Sequence, residues 1–495
     1  MKNLLTSAQM RAADAHVIQH LPMSSLNLME NAADVFVEVF KEEVKYKKTR
    51  VAILCGQGNN GGDGLAIARL LAEQHYDHIT VYLINFAAKQ SEDYDKNLKR
   101  LPKNVPIVEI THPEELKDLT AEVIVDAILG SGLNKPLQNK FADLAALING
   151  LHKRVIAVDV PTGLNAEGPI SAHYNGIKAE LVISFDRPKI NFFFPECVNA
   201  MERFTVAEIG LAANFIEKQP SDWKLTTKAD VRGFIKPRKN FSHKGTYGHV
   251  CIVAGNDQTM GAALLAAGAC LHIGAGLTTL CLPESGLVAL NTSLPEVMAL
   301  PRNKQLEVSA FEKFSALAIG PGLGVDETTE TLFAQLIALQ KPMVIDADGL
   351  TILSKKKELL NKLPPNSILT PHLKEFDRLF GVHQNWWDRV ATAKKEAKNR
   401  NLVIVLKNQF TFVCLPTGAV HINPTGNPAM ASGGMGDVLA GMIVGLLAQG
   451  YPPTTAAILA TYLHGRAGDK LAKKQAVVIA SQVIKKIATV MKKLR

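Results

Sequence analysis

The sequence predicts an α/β protein of two domains in tandem, each built on a mostly parallel sheet, and three observations lead to that expectation. Short β-branched runs alternate with helix-like stretches along the chain, the arrangement that parallel strands joined by crossover helices require. At 495 residues the chain exceeds what one core encloses, since single cores stop growing at roughly 250–300 residues. The alternation also lapses near residues 211 to 226, where LAANFIEKQPSDWKLT is polar and contains a proline. The boundary is expected there, with domains at 1–214 and 225–495.

In the first domain the expected strands are VAILCG from Val51, ITVYLI from Ile79, EVIVDAIL from Glu122, VIAVDVP from Val155 and LVISF from Leu181. The second restarts the pattern with HVCIVAG from His249, LTTLCL from Leu277, ALAIGPG from Ala316, MVIDAD from Met343, SILTPH from Ser367 and LVIVLK from Leu402. TFVCLP and AVHINP then form an expected hairpin. Alanine-rich segments from Gly261 and from Asp437 read as small-residue helices that pack closely against a sheet. No short-period repeat is present, which argues against a solenoid.

Composition excludes several classes. An apolar share of 47% with 20% charged residues lies far from the disordered range. The six cysteines are scattered, show no CxxC pairing and sit inside apolar runs, so buried free thiols in the reducing cytoplasm are expected. The longest apolar stretch, Val438 to Ala448, contains glycines and is about half of what spans a bilayer. The N-terminus has no sustained apolar run, so no membrane association is expected. The net charge of +9 suits an anionic partner. The lysine clusters lie beside apolar periodic residues rather than among aromatics, which favours a solvated face over nucleic-acid binding. A homo-oligomer is expected.

The first chemistry-bearing stretch follows VAILCG: GQGNNGGDG, Gly56 to Gly64, ahead of a helix expected to start near Leu65. Five glycines in nine positions allow positive φ and close approach to a ligand, and a helix start offers free N–H groups to an anion. Asn59, Asn60 and Asp63 add side-chain oxygens that a plain turn does not need. Two more strand ends carry Asp126 with the loop Gly130 to Pro136, and Asp159 with Thr162. Ligands of open parallel sheets bind outside the carboxyl ends of the strands, so the three loops are expected to converge. Asn60, Asp126 and Thr162 supply hard oxygens suited to an alkali or alkaline-earth cation. Each aspartate alone serves equally as a cap or turn residue.

Together SAQMRAAD, MENAA, GNNGGDG, DAILGSGL and DVPTGLNAEG resemble the NAD(P)H-hydrate epimerase domain over roughly residues 1 to 214. The resemblance implies a Rossmann-like parallel-sheet domain. It also implies that the hydrated dinucleotide is held by Asn59, Asn60, Gly61, Gly62 and Asp63, by Gly130, Ser131, Gly132, Leu133, Asn134, Lys135 and Pro136, and by Asp159. Potassium is implied at Asn60, Asp126 and Thr162, and Asp159 as the acid/base that inverts C6 of the damaged ring.

The second stretch, GNPAMASGGMGDVLAGMIVGLL from Gly426, sets a glycine-rich turn before a long apolar helix. Backbone N–H groups of Gly434 to Gly436 make an anion hole for a transferring phosphate, and Asp437 is placed to take the proton of an attacking hydroxyl. An N-cap role for Asp437 would use the same geometry. GPGLG at Gly320, TPH with His372, and Lys407 to Thr411 lie at other strand ends. Asp346 and Asp348 either order a magnesium ion through water or cap the next helix.

A turn of this type ahead of a helix resembles the ribokinase-like fold. SHKGTYGHV, GAGLTTL, GPGLG, DADGL, TPH and NPAMASGGMGDVLAG are similar, more narrowly, to ADP- or ATP-dependent NAD(P)H-hydrate dehydratase over roughly residues 225 to 490. That likeness implies adenine nucleotide at Lys407, Asn408, Gln409, Phe410, Thr411 and Gly436. It implies the hydrated cofactor, NADH or NADPH, at Ala262, Gly322, Gly324, His372 and Asp437, with Mg²⁺. This chain departs from the family after TPH, with Leu373 and Lys374 before Glu375 in place of Pro-Gly-Glu. Two rival readings are a ribokinase-like small-molecule kinase with a regulatory N-terminal domain, and a basic binding protein for RNA. Neither explains GNNGGDG and SGGMGD in one chain.

Overall fold

The computed structural model describes residues 1–20, 23–87, 89–133, 135–210, 213–303 and 306–495. The chain forms two compact units: Asn3–Ser221 with Asn385–Trp387, and Met1–Lys2 with Asp222–Gln384 and Asp388–Arg495. No helix among the described residues is long and apolar enough to cross a membrane. All six cysteines are free and buried.

The first unit is built on a parallel sheet of seven strands: β1 (Val51–Cys55), β2 (Ile79–Ile84), β3 (Ile107–Ile110), β4 (Val123–Ala127), β5 (Arg154–Val158), β6 (Ala179–Phe185) and β7 (Met201–Ala207). Their order is β3-β2-β1-β4-β5-β6-β7. β1 and β4 are buried along their whole length, because helices cover both faces of a parallel sheet and leave no side for polar residues. The strand order reverses between β1 and β4, which opens a crevice at their carboxyl ends. Helices α1 (Ser7–His20), α2 (Ser25–Glu43) and α3 (Asn59–Glu73) pack in this unit, with Phe36 and Phe40 of α2 fully buried in its core.

α3 begins at Asn59, six residues before the expected start near Leu65. None of the five glycines of Gly56–Gly64 takes a left-handed φ; Gly56, Gly61, Gly62 and Gly64 serve close approach, while Gly58 has open space beside it. A Cβ on Gly61 would lie 1.6 Å from the Gly56 oxygen, and one on Gly64 2.6 Å from the Ala127 Cβ. Propensity reads asparagine and glycine as loop, whereas tertiary packing winds them into the first turns of a helix.

The second unit contains β8 (Trp223–Leu225), β9 (His249–Val253), β10 (Leu277–Leu282), β11 (Met298–Pro301), β12 (Ala316–Ile319), β13 (Met343–Ile345), β14 (Ile368–Leu369), β15 (Val403–Leu406), β16 (Phe412–Cys414) and β17 (Val420–Ile422). These lie side by side as β8-β17-β16-β15-β14-β13-β12-β9-β10-β11. From β15 to β11 every pairing is parallel. β15, β16 and β17 are successively antiparallel, so the hairpin forms as expected. The polar stretch 211–226 is not all linker: Trp223–Leu225 pairs in parallel with β17.

Helices α4 (Met260–Ile273) and α7 (Met435–Ala448) are apolar nearly all round, the composition of helices buried within a core. Glycine lets them touch: a Cβ on Gly441 would meet the Ala266 oxygen at 2.1 Å, and one on Gly445 the Ile273 Cγ2 at 2.4 Å. α5 (Ala347–Lys355), α6 (Leu373–Phe380) and α8 (Pro453–Ala472) complete the elements that carry the site.

Candidate active sites

In the first unit, the loops after β1, β4 and β5 meet where the strand order reverses. Gly58 is the N-cap of α3, so the N–H groups of Asn59, Asn60 and Gly61 have no carbonyl four residues back and remain for a ligand. The Asn60 amide nitrogen is buried with no hydrogen-bond partner. A Cβ on Gly130 would lie 3.3 Å from the Asn60 Oδ1, which brings the Asn60 side chain against the Gly130 loop. Gly62 faces inward instead, where its Cβ would stand 2.9 Å from the Met29 Sδ.

Asp126 is fully buried. Its carboxylate accepts from the Thr162 N–H at 2.8 Å, the Thr162 hydroxyl at 2.7 Å and the Ile128 N–H at 3.3 Å. Burial outweighs these bonds and pushes its pKa up to about 6. The Thr162 oxygen also accepts from the Leu129 N–H at 2.9 Å. One carboxylate thereby fixes both the β4 and β5 loops, a role distinct from the capping alternative.

Asp159 follows β5 in a left-handed conformation, φ 63°. One carboxylate oxygen accepts from the Lys189 ammonium at 2.6 Å, the Ser184 hydroxyl at 3.1 Å and the Phe185 N–H at 3.2 Å. Lys189 is buried. Asp63 and Asp14 face the same charges: burial, then Asp159 and Asp14, raise the Asp63 pKa well above the carboxylate range. Burial lifts Asp14 to about 6, with Lys189 opposing and Asp159 reinforcing the rise. The Ser7 hydroxyl donates to the Glu167 carboxylate and lies 2.9 Å from the Ser131 carbonyl, so the start of α1 braces the Gly130 loop. Leu133 is half-buried, Gly132, Lys135 and Pro136 are exposed, and Asn134 lies outside the described residues.

Asp14, Lys189 and Ser7 were missed by the sequence reading. Lys189 follows β6, so extending the strand-end rule by one strand would have found it. Asp14 and Ser7 sit within SAQMRAAD, a word recognised without a role for its residues.

In the second unit, Gly320, Gly322 and Gly324 after β12 all take positive φ. A Cβ on Gly320 would sit 1.8 Å from the Asp346 oxygen, so only glycine fits. The Gly322 carbonyl accepts from the Thr259 hydroxyl at 2.7 Å, and the Gly324 N–H donates to the Asp348 carboxylate at 2.8 Å. The first bond holds GPGLG against the start of α4, where Ala262 is half-buried, and the second holds it against α5.

Asp346 occupies the N-cap position of α5, yet its side chain makes no capping bond. It accepts from the Lys407 ammonium at 2.8 Å instead, and Glu375 stands 3.9 Å from the same nitrogen. Burial works against that ammonium, but Asp346 and Glu375 outweigh it and raise its pKa. His372 caps α6: its Nδ1 accepts from the N–H groups of Lys374 at 3.1 Å and Glu375 at 3.3 Å, while its own N–H donates to Glu375 at 2.8 Å. The side chain remains half-exposed.

At α7 the N-cap is Gly434, φ 87°. Asp437 is therefore the third helical residue and not the cap, and the N–H groups of Met435, Gly436 and Asp437 point outward unpaired within the helix. Burial, then Asp346, raise the Asp437 pKa to about 7, with Lys407 opposing. A Cβ on Gly436 would lie 3.1 Å from the Lys407 Nζ, so the ammonium stands against the helix terminus. Beside it a cavity of about 410 Å³ is lined by Lys407, Asn408, Gln409, Thr411 and Gly436, among others. Phe410 is half-buried and outside that lining. The turn thus joins a poised carboxylate, a lysine and free backbone amides at the mouth of a cavity, the parts that transfer of a phosphoryl group to a hydroxyl needs.

Comparison with known proteins gives the following. Residues 250–489 match the family described as NAD(P)H-hydrate dehydratase, and residues 25–191 the family described as YjeF-related protein N-terminus. The chain is 35% identical to the bifunctional NAD(P)H-hydrate repair enzyme Nnr of Moorella thermoacetica over 95% of this chain and 93% of that protein. It is 33% identical to the enzyme of the same name from Coxiella burnetii over 86% of each. Among solved structures, a ribokinase-like superfamily protein from Enterococcus faecalis V583 is similar at 31% identity and a TM-score of 0.52, covering 56% of this chain and 98% of that one. The ADP/ATP-dependent NAD(P)H-hydrate dehydratase of Bacillus subtilis, co-crystallised with ATP and Mg²⁺, is similar at 32% identity and a TM-score of 0.50, covering 55% of this chain and 99% of that one.

Proposed function

The chain belongs to the family of bifunctional NAD(P)H-hydrate repair enzymes, and from that premise we propose how its residues divide the repair. Residues 1–214 interconvert the R and S hydrates at C6 of the nicotinamide ring. Residues 225–495 use ADP or ATP to dehydrate the S form to NADH or NADPH.

In the first unit the hydrate lies in the crevice between Asn59–Asp63 and the Gly130–Pro136 loop, with Asp159 exchanging a proton at the reacting centre. Lys189 holds one Asp159 oxygen at 2.6 Å, which leaves the other for substrate. Asn60, Asp126 and Thr162 offer an all-oxygen donor set of the kind that potassium takes, with the Asn60 side chain against the Gly130 loop. Potassium there would supply a fixed positive charge near the dinucleotide.

In the second unit the nucleotide occupies the cavity beside Lys407–Thr411, with its terminal phosphate at the N–H groups of Met435 to Asp437. Ala262, Gly322, Gly324 and His372 face the hydrate. Asp437 accepts the proton of the C6 hydroxyl as that oxygen attacks the terminal phosphorus. The new O–P bond forms as the phosphoanhydride bond breaks, releasing AMP from ADP or ADP from ATP. The ring nitrogen's lone pair then expels phosphate as the C6–O bond breaks, leaving an iminium at C6, and loss of a proton from C5 to solvent forms the C5=C6 double bond of the reduced ring. Lys407 and the backbone amides carry the charge that builds on the phosphoryl oxygens. Among the described residues no three His, Cys, Asp or Glu side chains are gathered for a metal. Mg²⁺ would be held chiefly by phosphates and water with Asp346 or Asp348 beside it, where it would offset phosphate charge. The six buried thiols suit a reducing compartment.

The observation that carries the proposal is Asp437: a carboxylate poised near neutrality in the same helical turn as the free amides. The test incubates the protein with hydrated NADH, Mg²⁺ and either ADP or ATP, and follows reduced-nicotinamide absorbance and free phosphate together. Both rise in step if the proposal holds, and the better donor identifies itself. A stable phosphorylated product without recovered absorbance would make the domain a kinase.

A further inference from the structure

Asn256 follows β9 in the loop that leads into α4, and it takes no part in either reaction described above. Its Oδ1 accepts from the backbone N–H groups of Gln258 at 2.8 Å and Thr259 at 3.0 Å. Only the oxygen of a carboxamide accepts from an N–H, so the side chain stands one way round, with Nδ2 on the other side. A Cβ on Gly324 would lie 3.3 Å from that nitrogen, which aims the amide at the GPGLG loop. Asn256 is half-buried, and among the described residues its Nδ2 is neither enclosed nor hydrogen-bonded. Its N–H groups are open to a ligand that lies against Gly324.

The backbone behind the amide is braced. Arg302, just past β11, donates to the Gly255 carbonyl at 2.6 Å, and the Gly255 N–H donates to the Pro321 carbonyl at 2.9 Å. The amide therefore keeps its place relative to GPGLG, while the guanidinium is turned to backbone carbonyls. The charges around Gly324 limit what the amide meets. Asp348 accepts from the Gly324 N–H at 2.8 Å, and a Cβ on Gly324 would stand 3.9 Å from the Asp326 carboxylate. Two carboxylates disfavour a phosphate there and leave a neutral acceptor. The hydrate carries one: C3, which bears the carboxamide, lies across the ring from C6, so a C6 hydroxyl at Asp437 sends the carboxamide to the far side of the site. The first turn of α5 joins the two sides. A Cβ on Gly436 would lie 3.5 Å from the Asp346 carboxylate, and Asp348, two residues on, bonds to Gly324.

We propose that Asn256 Nδ2 donates a hydrogen bond to the C3 carboxamide oxygen of the hydrate and so turns C6 toward Asp437, an inference that rests on the hydrate site proposed above. KM and kcat for dehydration would be measured with hydrated NADH and with the hydrate of reduced thionicotinamide adenine dinucleotide, whose sulfur is a weak acceptor. The proteins are the full chain, Asn256→Asp and Ala262→Phe. Asn256→Asp keeps an oxygen for the Gln258 and Thr259 N–H groups and removes the donor. The native protein is expected to show a KM about tenfold higher for the thio hydrate. In Asn256→Asp the KM for hydrated NADH is expected to rise about tenfold and the discrimination to disappear, with nucleotide affinity and epimer interconversion unchanged. A native protein with equal KM for the two hydrates would overturn the proposal, and needs no variant to fold. So would an equal rise for both in Asn256→Asp, which would put a phosphate or sugar oxygen at the amide instead. Ala262→Phe separates the two levels, because it places a ring on the wall assigned to the hydrate. A native KM in that variant would sink the hydrate site and this inference with it. A raised KM there beside an unaffected Asn256→Asp would sink this inference alone.

Discussion

As the proposed base, Asp437 would act only while deprotonated, so its pKa of about 7 would set the acid limb of dehydration. Dehydration at saturating nucleotide is expected to fall as pH drops through that value, in a pH profile of kcat. Lys407 lowers the Asp437 pKa. Lys407→Met should therefore move the acid limb to higher pH as well as weaken nucleotide binding, whereas a purely structural lysine would leave the limb where it is. In the other unit, Lys189→Met removes the 2.6 Å contact to Asp159 and should slow epimerisation without changing dehydration, measured by resolving the two hydrates over time. At this scale the sequence reveals groups next to a glycine turn or strand end, such as Asp437, Asp126 and Asp159. It conceals those defined by what they meet across the fold. Lys189 and Asp14 look ordinary until a distant carboxylate is beside them.

α3 and α7 show what glycine does for an element. Gly61 lets α3 start against the end of β1, and its Cβ would stand 1.6 Å from the Gly56 carbonyl. Because that neighbour is backbone, Gly61→Ala is expected to destabilise the first unit by about 1–3 kcal/mol, seen as a lower denaturant midpoint. Gly441→Ala drives the same kind of collision between α7 and the Ala266 carbonyl at 2.1 Å, and a similar loss is expected in the second unit. The strands named from the sequence, the hairpin and both alanine-rich helices were legible because their periodicity is local, whereas Ile107–Ile110, Met201–Ala207 and Met298–Pro301 went unnamed. The start of α3 was not, since a run of asparagine and glycine is helical here only through what it packs against. Trp223–Leu225 was hidden for a related reason: its pairing partner, β17, lies nearly 200 residues on.

At the scale of the whole molecule, two compact units each place a glycine-rich helix start at the carboxyl ends of a parallel sheet. With one proposed site in each unit, the two chemistries should be separable by point substitution. Asp159→Ala should slow interconversion of the hydrates while nucleotide-dependent loss of the S hydrate proceeds at its native rate. Joint loss of both activities would mean one shared site.

In the proposed dehydration the carboxylate in the first turn of α7 takes the proton from the attacking hydroxyl while the amides beside it hold the phosphoryl group. Asp437→Asn tests it most directly, with nucleotide affinity, S-hydrate dehydration and epimer interconversion measured on one preparation. The expected result is retained nucleotide binding, dehydration slowed by about 10²–10⁴-fold and unchanged epimerisation. Dehydration at the native rate would contradict the claim.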